Sequence, residues 1–251
     1  MEFFKELEKL NKIIIFPCFV LFLFLTFFFF AFGPKEVSFL GTNFFLPLPT
    51  WRSFSVLVFS IIQRDLVPVG VELIAINPLS AFLTQVIVSL SLAFVVGFPF
   101  FLYQFIKYLS PVFSKKEKYK IIKVWIPSLF LFIAGCLFAY FLLIPTSIRI
   151  LYDFPVAMGI TPFFVANEFI VFVLSLMLVS GLMFLLPIFM NLLSWLGIVE
   201  KNFWRNNWRY AAFIFLLFSA IITPDGSGIT MLMFSLPLSC LYFLGYCLTL
   251  K

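Results

Sequence analysis

The sequence predicts an all-α polytopic membrane protein with six transmembrane helices and both termini on the cytoplasmic, matrix or stromal side. Three observations carry this. Hydrophobic residues make up 63% of the 251 residues and charged ones 11%, with a mean hydropathy of +1.15, a composition outside that of soluble domains. Charge-free apolar runs recur, several as long as the roughly 20 residues a helix needs to cross a hydrocarbon core of about 30 Å. The cations, finally, are shared unevenly between the two sides. Lys5, Lys9, Lys12, Lys107, Lys115, Lys116, Lys118, Lys120, Lys123, Lys201, Arg205, Arg209 and Lys251 fall on the side of the termini, against Lys35, Arg52, Arg64 and Arg149 on the other. Thirteen against four puts the termini inside. Alternating strand patterns are absent, which argues against a membrane barrel.

Taken in order, residues 1–12 form an amphipathic tail. Phe3, Phe4, Leu7 and Leu10 share one helical face and Lys5, Glu6, Glu8, Lys9 and Lys12 surround the other, a helix resting on the membrane surface. Ile13 to Gly33 carries no charge and is the first span. The run is too long for a cleavable signal and no small-residue cleavage motif follows it. Residues 34–81 are a long loop on the trans side, rich in prolines and aromatics and therefore ordered, not a flexible linker. Ser80 is the expected cap of the second span, about Phe82 to Tyr108.

Residues 109–123 make a first basic turn around Glu117, and Val124 to Ile148 is the third span, ending near Pro145. A short loop with Arg149, Asp153, Pro155 and Pro162 leads to the fourth span within Phe169 to Val199, which contains Pro187. Residues 200–209 are a second basic turn. Tyr210 to Pro224 leaves only fifteen charge-free residues before Asp225-Gly226-Ser227-Gly228, a strong turn signal. Spans five and six are thus a hairpin, the fifth too short for a full-thickness bilayer. All of 1–251 is one membrane domain.

The absence of charge within the spans restricts the chemistry. Proton and ion pathways usually need ionisable or at least polar groups at mid-membrane; no charge is offered there, though polar groups such as Gln85, Gln104 and Asn191 remain. No Walker, GxSxG, HExxH or paired-carboxylate pattern is present, so the chain reads as no enzyme. With no histidine and four cysteines (Cys18, Cys136, Cys240, Cys247) scattered in apolar runs, neither a metal nor a redox cofactor is expected. The net charge of +6 sits at helix ends and orients the spans, so it marks no nucleic-acid surface. What remains is recognition. Glu117 among its lysines reads as charge balance in a solvated turn, and Glu6 as one charge of a surface helix. Brought to one face, the two carboxylates would instead receive arginines, whose forked geometry suits them.

Pro99, Tyr103-Gln104, Pro111 and Glu117 resemble the P-x(3)-Y-Q-x(6)-P-x(5)-E pattern of TatC, the multi-span receptor of the twin-arginine protein translocase. Phe138-Ala139-Tyr140-Phe141 with Pro145 is similar to that family's third span. Gly181, Phe184 and Pro187, with Trp195, Gly197 and Ile198, are similar to its fourth. Arg209-Tyr210 and Thr223-Pro224-Asp225 resemble the boundaries of its fifth, and Pro237 the start of its last helix. The resemblance implies a concave fold with short helices five and six. It implies binding of the signal peptide of folded precursors, recruitment of single-span Tat partners of TatA/TatB type, transport driven by the protonmotive force, and a homo- or hetero-oligomer. Glu6 and Glu117 would take the two arginines, beside Tyr108, Tyr103 and Gln104.

The chain departs from the family where Leu10, Leu185 and Phe243 occupy usually polar positions, and these losses motivate an alternative: a non-translocating structural subunit that keeps the TatC fold. A small-molecule permease is the third reading, disfavoured by the uncharged midplane. Forty phenylalanines point to a T-rich coding genome such as an organelle's, and so to a mitochondrial inner membrane ahead of a bacterial inner membrane or thylakoid.

Overall fold

The structure, a computed structural model, describes residues 15–39, 42–50, 52–68, 71–109, 115–195, 197–223 and 228–249. Its elements are α1 (Phe16–Ala31), β1 (Phe32–Phe39), β2 (Thr42–Pro49), α2 (Phe54–Leu66), β3 (Leu73–Ile74), α3 (Pro78–Leu109), α4 (Lys115–Phe138), a π-helical turn (Ala139–Leu143), α5 (Ile144–Ala157), β4 (Phe164–Val165), α6 (Ala166–Met183), α7 (Leu186–Trp195), α8 (Lys201–Asn206), α9 (Trp208–Ile222) and α10 (Ile229–Thr249). Among the described residues, four stretches are long and apolar enough to cross a membrane: Pro78–Lys107, Val124–Ala157, Ala166–Trp195 and Ile229–Thr249. Only 22–44% of each is buried. Apolar surface on that scale needs lipid around it. Phe16–Ala31 and Trp208–Ile222 are shorter apolar helices. Of the last pair, α9 has 15 residues and α10 has 21, so α10 is short only beside the 30 to 34 residues of the other three long spans.

Two compact units divide the chain. One comprises residues 1–108 and 163–174, the other residues 109–162 and 175–251, with α6 contributing to both. In the first, the proline-rich segment after α1 is an antiparallel hairpin, β1 paired with β2 from Phe32↔Pro49 to Phe39↔Thr42. The sequence reading takes this segment as an ordered loop. What lets it pair is register. Thr50 N–H donates to Ala31 O at 3.2 Å, which makes 31/50 a hydrogen-bonded pair and therefore 32/49 and 34/47 non-bonded ones. Pro34, Pro47 and Pro49 all fall where the ladder asks no N–H of them. Gly33 is buried against the return of the chain, where a Cβ would collide with the Arg52 carbonyl oxygen. β3 and β4 form a two-residue parallel pair, Leu73↔Phe164 and Ile74↔Val165. Phe28 stacks on Phe32 and Phe54 at 5.2 and 5.8 Å, and Val88, Ala93, Phe98, Phe169, Ile170 and Val173 are buried in this unit.

The second unit packs helices through small residues. A Cβ on Gly135 of α4 would lie 2.7 Å from Ser180 O and 2.9 Å from Gly181 Cα of α6, an approach only glycine permits. Gly245 of α10 similarly admits Pro187 Cα at 2.9 Å. Phe132, Leu143, Ile144, Met190, Phe234 and Leu238 fill the core.

Several expected boundaries move. Asn77, not Ser80, caps α3: its Oδ1 accepts the Ser80 N–H at 2.7 Å, while the Ser80 hydroxyl bonds back to Asn77 O. The basic turn is helical from Lys115, so Glu117 lies in the first turn of α4. Helix continues past Pro145 through Arg149, Asp153 and Pro155, where a loop was expected. Pro145 lacks an N–H for the residue four back, and the preceding π-helical turn absorbs this, with Ile144 N–H reaching Ala139 O. Around Pro187 the fourth span breaks into α6 and α7 through the tighter bonds Leu185 N–H to Leu182 O and Ile188 N–H to Leu185 O. Pro237 lies within α10, which begins at Ile229, and not at its start.

Candidate functional site

The most specific sequence motif falls on the C-terminal half of α3. That helix runs without interruption through Pro99, since prolines are tolerated in membrane helices where neighbours re-satisfy the freed carbonyl. Four residues on, Tyr103 is 53% exposed. Gln104 lies beside it, half-buried, and its Oε1 is buried with no hydrogen-bond partner among the described residues. A buried amide oxygen left unpaired costs about 1–3 kcal/mol, so this position asks for a donor. Lys107 follows, exposed in the last turn.

Of the other motif residues, Tyr108 ends this helix and Glu117 opens α4. Their side chains, and the whole of Glu6, Leu10, Pro111 and Asp225, lie outside the described residues. Pro145 and Pro187 shape helix breaks, as above. Arg209 and Tyr210 lie in the first turn of α9, both exposed. Leu185 sits in the α6–α7 break, half-buried, and Phe243 is exposed on α10 with its ring 6.1 Å from that of Trp208.

Three recesses mark the described surface. In the first unit a cavity of about 310 Å³ sets Ser55, Gln63, Thr84 and Gln85 from α2 and α3 among apolar residues such as Val56, Phe59 and Leu73. Gln85 Nε2 donates to Phe30 O at 3.3 Å and Ser53 Oγ at 3.1 Å, and Ser53 and Ser55 hydroxyls lie 2.8 Å apart. Thr84 Oγ1 donates to Ser80 O at 2.8 Å and sits 3.5 Å from Asn167 Oδ1. These are neutral donors and acceptors. They tie α1, α2, α3 and α6 together and offer no nucleophile, general base or metal ligand set. Gln85, read from sequence as a spare mid-membrane polar group, is in fact a structural clasp. An apolar groove of about 360 Å³ lies along α1 and α3, lined by Cys18, Phe22, Phe94, Gly97 and Phe101.

The third recess, about 710 Å³, is in the second unit at the end of the α9–α10 hairpin where α9 starts and α10 finishes. Tyr242 OH donates to Trp204 O at 2.6 Å, and Trp204 Nε1 donates to Ser194 Oγ at 2.9 Å. The Arg209 guanidinium carbon stands 5.6 Å over the Trp208 ring. The sequence reading took these cations only as topology signals; their interleaving with Trp204, Trp208 and Tyr210, and the Tyr242/Tyr246 spacing, were the signal for a built recess.

No group of three or more metal-ligating side chains occurs among the described residues, and the four cysteines are free.

The sequence model for the Sec-independent protein translocase protein (TatC) matches residues 5–237. A Sec-independent protein translocase protein TatC of Cenarchaeum symbiosum (strain A) is 34% identical over 221 residues, 88% of this chain and 84% of the relative. The tatC-like protein ycf43 of Cyanidium caldarium is 30% identical over 175 residues, 70% of this chain and 73% of the relative. A crystal structure titled Twin Arginine Translocase Receptor TatC superposes with a TM-score of 0.75 at 26% identity, covering 97% of both chains.

Proposed function

The chain belongs to the TatC family of Sec-independent protein translocase components, an integral membrane family of translocases and not of enzymes, and from that premise we propose that it is the receptor that binds the signal peptide of folded precursors. The observation that carries this is the likeness to a solved twin-arginine translocase receptor over 97% of both chains. We assign Glu117 and Glu6 to the two arginines of the signal, with Tyr103, Gln104 and Tyr108 beside them. The exposed Tyr103 ring supports this, since it offers a peptide an accessible aromatic face at the motif. We assign Pro99, Pro111, Pro145, Pro187, Arg209, Tyr210 and Asp225 to the family's structural motif.

The receptor has six spans, α1 and α9 joining the four long ones, with both termini inside. It works with single-span partners of TatA/TatB type, in an oligomer, under the protonmotive force. The compartment is a mitochondrial inner membrane, on the strength of the phenylalanine usage. The direct experiment is precursor binding to the Glu6→Ala/Glu117→Ala protein in membranes. Losing charge-assisted hydrogen bonds should cost about 1.5–3 kcal/mol each, and unchanged binding overturns the assignment.

One observation favours a second reading, a structural subunit of a larger complex: Leu185 and Phe243 are apolar where the family is usually polar, and Phe243 is spent on packing against Trp208. Stable co-purification with a fixed assembly and no single-span partner would select it.

A further inference from the structure

We propose that the recess at the open end of the α9–α10 hairpin is a binding site for the headgroup of an anionic phospholipid. Two guanidinium groups, Arg205 and Arg209, line it and are exposed. Neither has a carboxylate partner among the described residues, where the one ion pair is Arg64–Asp65. The nearest acidic residue in sequence, Glu200, is exposed ahead of α8. Unpaired arginines with forked donors are the groups that take phosphate in two-point fashion.

The walls decide which phosphate. They are Trp204, Trp208, Tyr242, Phe243 and Tyr246, the residue types that settle at the level of lipid headgroups. Trp208 is 44% and Phe243 50% exposed, side by side with ring centroids 6.1 Å apart. They form an apolar ledge that a free phosphate has no use for and a glycerol backbone with acyl chains does. The site is also preformed. Tyr242 is clamped to the Trp204 carbonyl and Trp204 to Ser194, so α7, α8 and α10 are already locked, and the Arg209 guanidinium carbon lies 5.6 Å from the Trp208 ring centroid. Little ordering is left for binding to impose.

Depth agrees. α9 has 15 residues, about 22 Å at 1.5 Å per residue, against a core of about 30 Å. Its two ends cannot both reach unthinned interfaces, and a headgroup drawn inward to the arginines relieves that mismatch. Basic pockets between membrane helices hold anionic headgroups in this manner.

The test is native mass spectrometry of the full-length protein in micelles, titrated with phosphatidylglycerol or phosphatidylcholine. The wild-type protein should retain phosphatidylglycerol and discriminate against phosphatidylcholine. Arg205→Gln/Arg209→Gln should weaken phosphatidylglycerol by roughly 30-fold, given about fivefold per cation at a membrane surface, and leave phosphatidylcholine unchanged. Equal binding of the two lipids by the wild-type protein, or no loss in the variant, overturns the proposal. So does displacement of phosphatidylglycerol by inorganic phosphate, which would make the free anion the ligand. The wild-type protein gives a second readout that needs no variant: a diazirine-bearing phosphatidylglycerol in nanodiscs should label peptides containing 203–210 and 242–246. Labelling spread evenly over all helices contradicts the site.

Discussion

The two compact units hold their helices together by different means. In the first, side-chain amides and hydroxyls reach backbone carbonyls across elements: Gln85 bonds to Phe30 O and Ser53, and Ser53 approaches Ser55. In the second, glycines let backbones touch, as at Gly135 and Gly181, and one long bond, Tyr242 to Trp204, ties the hairpin end. Lipid tails are as apolar as leucine, so neither unit gains much from hiding leucines from lipid. Polar clasps and close packing are the two remaining ways to associate helices; the clasps stand out in the first unit and the glycine contacts in the second.

That contrast can be broken at chosen residues. Gly135→Val should have the largest effect, because its neighbours Ser180 O and Gly181 Cα are backbone and cannot swing aside. We expect a loss of about 3 kcal/mol, the upper range for overpacking, read as a lowered unfolding midpoint in micelles. An unchanged midpoint would deny the close approach. Gln85→Leu removes two hydrogen bonds from the first unit and should cost about 1–2 kcal/mol. Limited proteolysis would detect it as faster cleavage in residues 31–53, with the α9–α10 hairpin unaffected. Tyr242→Phe deletes a single bond to Trp204 O and should cost about 0.5–1.5 kcal/mol, visible as a change in Trp204 fluorescence. Pro47→Ala should change stability by less than about 0.5 kcal/mol, since that register position uses no N–H; a clear gain, from a ladder bond that alanine restores, would mean that the strand pairing is shifted by one residue.

The spans were legible because charge-free length is a strong signal, and α9 at Trp208–Ile222 lies within two residues of its expected limits. The hairpin was not legible. Prolines normally argue against strands, and only the pairing of Pro34 with Pro47 in a non-bonded position makes them compatible. The helix from Ile144 to Ala157 was read as a loop after Ile148 because Arg149, Asp153 and Pro155 are polar or helix-breaking residues. Charge ends a membrane span without ending a helix, and sequence alone conflates the two. Similarly Asn77 and Ser80 are both cap residues, and only geometry shows which oxygen accepts. At the motif, Tyr103 and Gln104 were found from their resemblance to a family pattern, but the unpaired state of Gln104 Oε1 depends on what surrounds α3 and has no sequence signature. The α9–α10 recess was missed because Arg205 and Arg209 had already been explained as topology signals.

The central claim is that this member of the TatC family is a working receptor with its arginine-reading carboxylate in the first turn of α4. The measurement that tests it most directly is photocrosslinking from a probe at position 117 in native membranes, with a twin-arginine precursor and its Lys-Lys variant. An adduct with the twin-arginine precursor that disappears with Lys-Lys is the expected result, because a lysine is a point charge without the fork that pairs two donors with a carboxylate. Equal adducts with both precursors, or a crosslink only to a fixed neighbouring subunit, would contradict it.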